Sequence, residues 1–195
     1  MPVYIFSMSG EIGVLAGIVT ISAFIPYIRD VVRGKTKPSR STWIIWSILA
    51  LILTASYYSV GARDTIWASI GFTLGQIAVA LVSIRYGVGG WTFFDRICFI
   101  GAASGLAAWA VSGSALTGLL SAMAVDFIGA LPTIKKLYLE PGSESQTSWL
   151  IFSAGNILNV AAIDKWSLEI ALFPVYFLIV NGIILALSLR RTKKQ

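Results

Sequence analysis

Five polar side chains interrupt long apolar stretches of this 195-residue chain: Gln76, Asp126, Asn156, Asn159 and Asn181. A carboxamide offers two donors and an acceptor, so four of the five suit a hydroxyl-rich or amide-bearing solute, while a carboxyl can also carry a proton. Each falls about nine to thirteen residues into its stretch, roughly 13 to 20 Å along a helix, which puts all five at one depth. Asn156 and Asn159 are spaced i and i+3 and share a helix face. An ionised carboxylate in hydrocarbon costs about 2.5 to 3.5 kcal/mol, and no lysine or arginine lies at the depth of Asp126. A largely neutral, hydrogen-bonded carboxyl is therefore expected, which makes Asp126 the candidate for coupling proton movement to transport; the alternative is a structural carboxyl that only bonds Asn156 or a backbone carbonyl freed by a kink. The plainer alternative is that these side chains bond one another, at about 0.6 kcal/mol each.

The elements that must hold these residues are membrane helices. Hydrophobic residues make up 56% of the chain, charged residues 12%, and mean hydropathy is +0.80, far from a soluble domain. Apolar stretches long enough to cross a bilayer run over about 10 to 32, 42 to 60, 65 to 86, 93 to 112, 115 to 138, 147 to 163 and 168 to 190. Of the 15 basic residues, all but Arg63 and Lys165 fall in alternate connections or the tail. This places the N-terminus outside and the C-terminus in the cytoplasm, with a prokaryotic inner membrane as the expected setting. The first stretch lacks a basic leader and reads as a retained helix.

An internal duplication orders the helices. Ile25-Pro26-Tyr27-Ile28-Arg29 returns as Leu131-Pro132-Thr133-Ile134-Lys135, and Ser41-Thr42-Trp43-Ile44-Ile45-Trp46 as Thr147-Ser148-Trp149-Leu150-Ile151-Phe152, both 106 positions later. Three crossings leave the chain on the far side, so one unmatched helix must return it before the copy inserts in the same orientation. The expected fold is all-α, with seven transmembrane helices as two parallel three-helix bundles joined by a linker helix, or 3+1+3. Its parts are residues 1–90, 91–113 and 114–195.

With this topology, orientation and the prolines at Pro26 and Pro132, the chain resembles the SWEET and PQ-loop transporter superfamily over most of its length. The dipeptide that names that superfamily is Pro26-Tyr27 in one copy and Pro132-Thr133 in the other. The resemblance implies alternating access around a central cavity, with repeat-related side chains of the third and seventh helices facing each other. Gln76 and Asn181 hold those positions.

The remaining candidates follow from physical roles. Proline removes a backbone donor and crowds the carbonyl four residues earlier, at Ser22 and Ile128, so Pro26 and Pro132 are gate or hinge candidates. Pro174 reads as a plain kink. Trp46, one turn inside Trp43, is placed to stack on a solute, whereas Trp43, Trp91, Trp109, Trp149 and Trp166 read as interfacial anchors. The pairs Gly13 with Gly17, Gly71 with Gly75 and Gly101 with Gly105 read as close helix contacts.

No histidine and a single cysteine, Cys98, leave no metal-site or disulfide pattern. Neither metal nor cofactor is expected, and no catalytic constellation is legible. The expected activity is transport of a small polar solute that is sugar-like, amino-acid-like or vitamin-like. The alternative is a receptor or scaffold of the same topology that binds without transport. Small-molecule substrate and membrane lipid are the expected partners, nucleic acid is not, and assembly into a homo-oligomer stays open.

Overall fold

The computed structural model describes residues 8–35, 38, 40–88, 92–139, 141 and 144–190. These residues form α1 (Met8–Ser22), α2 (Phe24–Val32), α3 (Arg40–Ser59), α4 (Ile66–Tyr86), α5 (Phe93–Ser112), α6 (Ala115–Leu139), α7 (Gln146–Ala161) and α8 (Leu168–Ser188). The described chain is helical with no strand element. Helix ends fall within about three residues of the apolar stretches read from sequence.

The first stretch is two helices. Pro26 has no N–H to offer the carbonyl of Ser22, and the ladder fails there: Ala23 N donates instead to Thr20 O at 3.3 Å, while Ser22 Oγ turns back to Val19 O at 2.7 Å. The helix resumes at Phe24. In the second copy α6 continues through position 132 to Leu139 as one helix. The side chain of Pro132 lies outside the described residues, as do those of Lys135 and Lys136. α8 likewise runs unbroken over Pro174.

Met8–Val32, Ile66–Tyr86 and Leu168–Ser188, with mean hydropathies of 1.8, 1.7 and 2.4, are long and apolar enough to cross a membrane. Shorter apolar helical stretches occupy Trp43–Ser59, Arg96–Ser112 and Ala115–Leu131. Large apolar side chains such as Ile18, Leu74, Leu81, Ile84, Leu150 and Ile157 point outward, a surface that fits lipid rather than water.

α4 packs against both α1 and α3, and α8 against both α6 and α7. The two groups meet where α1 packs on α7 and α3 on α6, while α5 lies on α6 and α3. Small residues set the closest approach. A Cβ added to Gly17 would lie 2.6 Å from the carbonyl oxygen of Trp67, and one added to Gly71 would strike the backbone of Gly17. Only glycine lets α1 and α4 come this near.

Candidate functional site

A cavity of about 340 Å³ is lined by residues from α2, α3, α4, α6, α7 and α8. Its mouth lies at the end of the molecule that carries the α2–α3 and α6–α7 connections, where Pro38, Glu144 and Ser148 line it. Its floor reaches Gln76, Asp126 and Asn181. Helix counting placed these three at one depth, and the fold brings them into one space. Gln76 and Asn181 are buried, at 3% and 5% exposure, and Gln76 Oε1 has no hydrogen-bond partner within the protein.

Aromatic rings form most of the wall. Near the mouth Tyr27 packs on Trp43 with centroids 5.2 Å apart, and Trp43 on Trp46 at 5.4 Å. Deeper, Phe24 meets Phe152 edge-on at 4.8 Å, and Phe72 meets Phe177 at 5.0 Å. Trp46 lines the cavity. Trp43 and Trp149 line it too, which corrects their reading as interfacial anchors. Position along a helix fixed their depth, but the rotation of α3 and α7 turns both rings inward. Trp166 is 68% exposed beyond α7, and Trp91 lies outside the described residues.

Asp126 is held from α8. The Tyr176 hydroxyl lies 2.8 Å from Asp126 Oδ2, to which it donates, and 3.2 Å from Met123 O. Asn156, the partner in the alternative reading, is occupied elsewhere: its Nδ2 donates to Phe152 O, one turn back on its own helix, at 2.9 Å. Asn156 and Asn159 are both buried and neither lines the cavity. The sequence set both at the solute site, and the fold places both outside the lining of this cavity. α7 gives the cavity Ser148, Trp149 and Phe152 instead, and Asn159 is fully buried with both amide atoms unpartnered.

Beyond the floor a narrow extension of about 10 Å³, room for about one water, reaches Ser69 and Thr73. Thr54 Oγ1 lies 2.5 Å from Ser69 Oγ and 2.8 Å from Thr73 Oγ1, and Thr73 donates to Ala50 O at 3.2 Å. Past this point the passage is shut. Tyr57 is fully buried and stacks on Phe173 at 4.7 Å, and Phe173 packs on Phe177 at 4.7 Å. Leu53, Leu119 and Met123 complete that cluster.

The loops beyond this closure also meet. The carboxyl of Asp64, between α3 and α4, is pushed above the usual carboxylate range by burial and by the charge of Asp164, with Lys165 opposing.

Tyr176, Tyr57 and Glu144 were not singled out by sequence. Tyr176 carried the best available signal, a hydroxyl-bearing ring at midspan depth five residues before Asn181. Tyr27 stands immediately after Pro26 and lines the cavity. Comparison with family models, with curated proteins and with solved structures gives no match.

Proposed function

We propose that the chain is a membrane transporter for a small polar solute. In this reading α1 to α4, with α1 and α2 as one broken span, and α6 to α8 are two parallel three-helix bundles, α5 is the linker between them, and the solute sits in the cavity between the bundles. The packing order supports the assignment, because α4 stands between α1 and α3 as α8 stands between α6 and α7. The two bundles then meet through repeat-related pairs, α1 with α7 and α6 with α3. This is the 3+1+3 plan of the SWEET and PQ-loop superfamily.

The observation that carries the reading is the extent of the cavity among the described residues. It reaches midspan polar groups from the end bearing the basic connections and stops beneath the Tyr57 and Phe173 stack. Alternating access requires such a one-sided state and a second state in which the closed end opens. With the basic connections in the cytoplasm, the cavity faces inward and the N-terminal end lies outside. The break at Ala23, above Pro26, lets α2 move against α1, and α2 supplies Phe24 and Tyr27 to the wall. Asp126 is the candidate proton carrier, held by Tyr176.

The test is a thermal-shift screen of the purified chain against sugars, amino acids and vitamins, repeated on Gln76→Ala and Asn181→Ala. A stabilising solute whose effect is lost in either variant is expected, followed by its uptake into proteoliposomes. Stabilisation indifferent to both substitutions would remove the assigned pocket.

A further inference from the structure

We infer that the solute taken by this cavity is a small organic cation with a flat or apolar body, its positive head placed between Asp126 and the Trp46 ring. The inference rests on the transporter reading and narrows it.

The lining holds two carboxyls, Asp126 on the floor and Glu144 at the mouth, and no described lining residue is lysine or arginine. Arg40, at the start of α3, is bound elsewhere, its Nε donating to Ser83 O at 3.2 Å. An anionic solute would face Asp126 with no described basic side chain in the wall to answer its charge. A neutral solute would satisfy Gln76 and Asn181 but leave the charge of Asp126 unanswered whenever its proton is off. A cation answers both sets of groups.

Trp46 and Asp126 are also brought together by the backbone. The Nε1 edge of the Trp46 ring lies against Gly129, where an added Cβ would sit 2.6 Å from Nε1. Gly129 is three residues after Asp126, on the same side of α6. Both side chains line the main cavity and its narrow extension. A cation over an indole face is attracted by the ring quadrupole, most strongly where water is excluded. Tyr176 engages Asp126 Oδ2, and a carboxylate has further acceptor capacity for an ammonium donor. The remaining rings, Phe72 and Phe177 closest to the floor, then take the apolar body of the solute.

One carboxylate cannot hold a proton and a cationic head at once. Arrival of the solute therefore releases the Asp126 proton into the open mouth, and its departure lets a proton return. The exchange balances one charge against one charge.

The experiment uses the full chain in lipid nanodiscs, with binding read by tryptophan fluorescence. The probes are phenethylammonium, its neutral counterpart 2-phenylethanol, the anion phenylacetate, and D-glucose. Phenethylammonium is expected to bind about tenfold more tightly than 2-phenylethanol, with phenylacetate and glucose weaker still. In Asp126→Asn that preference is expected to fall to near unity while 2-phenylethanol affinity is kept. Trp46→Phe is expected to retain part of the preference that Trp46→Ala loses, and Gly129→Ala to weaken cation binding by displacing the ring. Glucose or 2-phenylethanol binding as tightly as the cation overturns the inference, as does a preference that survives Asp126→Asn or an absence of binding by all four probes. Solute counterflow in proteoliposomes separates the two claims. A cation that binds with the stated preference but is not moved leaves the inference standing and removes the transport reading, whereas glucose moved through a Gln76-dependent site does the reverse.

Discussion

Tyr57 on α3 donates its phenolic hydrogen to the main-chain oxygen of Ile170 on α8, at 2.7 Å and across 113 positions of sequence. A phenol has one hydrogen, so the 2.6 Å contact between Tyr57 Oη and Thr65 Oγ1 is donated by the threonine. One side chain thus ties the first half of the chain to the second at the shut end of the cavity, and its ring stacks on Phe173 in the same place.

Tyr57→Phe keeps the ring and removes both hydrogen bonds. A cost of about 1 to 2 kcal/mol to the closed state is expected, since Ile170 O loses a donor and Thr65 Oγ1 an acceptor. In a Cys98→Ala background, a cysteine at Leu53 becomes a reporter of the closure. Tyr57→Phe is expected to raise its labelling by an impermeant thiol reagent added from the outer side. Unchanged labelling would mean that the bond packs the bundle without controlling access.

Asp126→Asn and Tyr176→Phe separate the carboxyl from its donor. Asp126→Asn is expected to flatten the pH dependence of solute uptake, because the amide carries no titrating proton. Tyr176→Phe leaves the carboxyl in place and removes the 2.8 Å bond, so the midpoint of the profile moves while the dependence remains. If both variants keep the unmodified profile in proteoliposome uptake, Asp126 has no part in coupling.

Depth was legible in the sequence and bearing was not. Counting residues along apolar stretches placed Gln76, Asp126 and Asn181 at one level, and they do share a cavity. The same count placed Asn156 and Asn159 there, yet Asn156 is satisfied by its own helix and Asn159 is buried away from the space. Depth depends only on rise per residue, whereas bearing depends on how each helix is rotated against its neighbours. That rotation is set by contacts such as Gly17 with Gly71, which join residues far apart in sequence. Trp43 and Trp149 illustrate the same limit, since an aromatic ring one turn from a helix end suits either a lipid interface or a cavity mouth. The paired prolines were legible as chemistry, but only the first interrupts its helix.

Gly71→Ala and Gly182→Ala should move stability in opposite directions. A Cβ at Gly71 meets the backbone of Gly17, which has no flexible end to give, so a loss of about 1 to 3 kcal/mol is expected. At Gly182, inside α8, nothing lies within 4 Å of an added Cβ. There alanine only reduces the freedom of the unfolded chain, a gain of about 0.5 to 1 kcal/mol. Thermal unfolding of both variants in one detergent checks the contrast. Equal shifts would show that α1 and α4 do not approach as closely as their glycines permit.

Asp64 gives a pH test outside the membrane helices. Burial first, and then the charge of Asp164, raise its pKa in the folded chain, against a smaller opposing effect of Lys165. The folded state therefore holds this proton more tightly than the unfolded state does. Stability from this group falls as pH climbs from the ordinary carboxylate value through the raised one, and the deficit persists above that window. Asp64→Asn removes the deficit, so a small rise in melting temperature is expected at neutral pH and none at about pH 3, where the carboxyl is protonated in both states. Because Asp64 precedes α4 and Asp164 precedes α8, the repulsion acts between the two halves at the shut end of the cavity. The same substitution should therefore slow outer-side labelling of the Leu53 cysteine at neutral pH, opposite in sign to Tyr57→Phe. A rise in stability without slower labelling would confine the repulsion to the loops and detach it from access to the cavity.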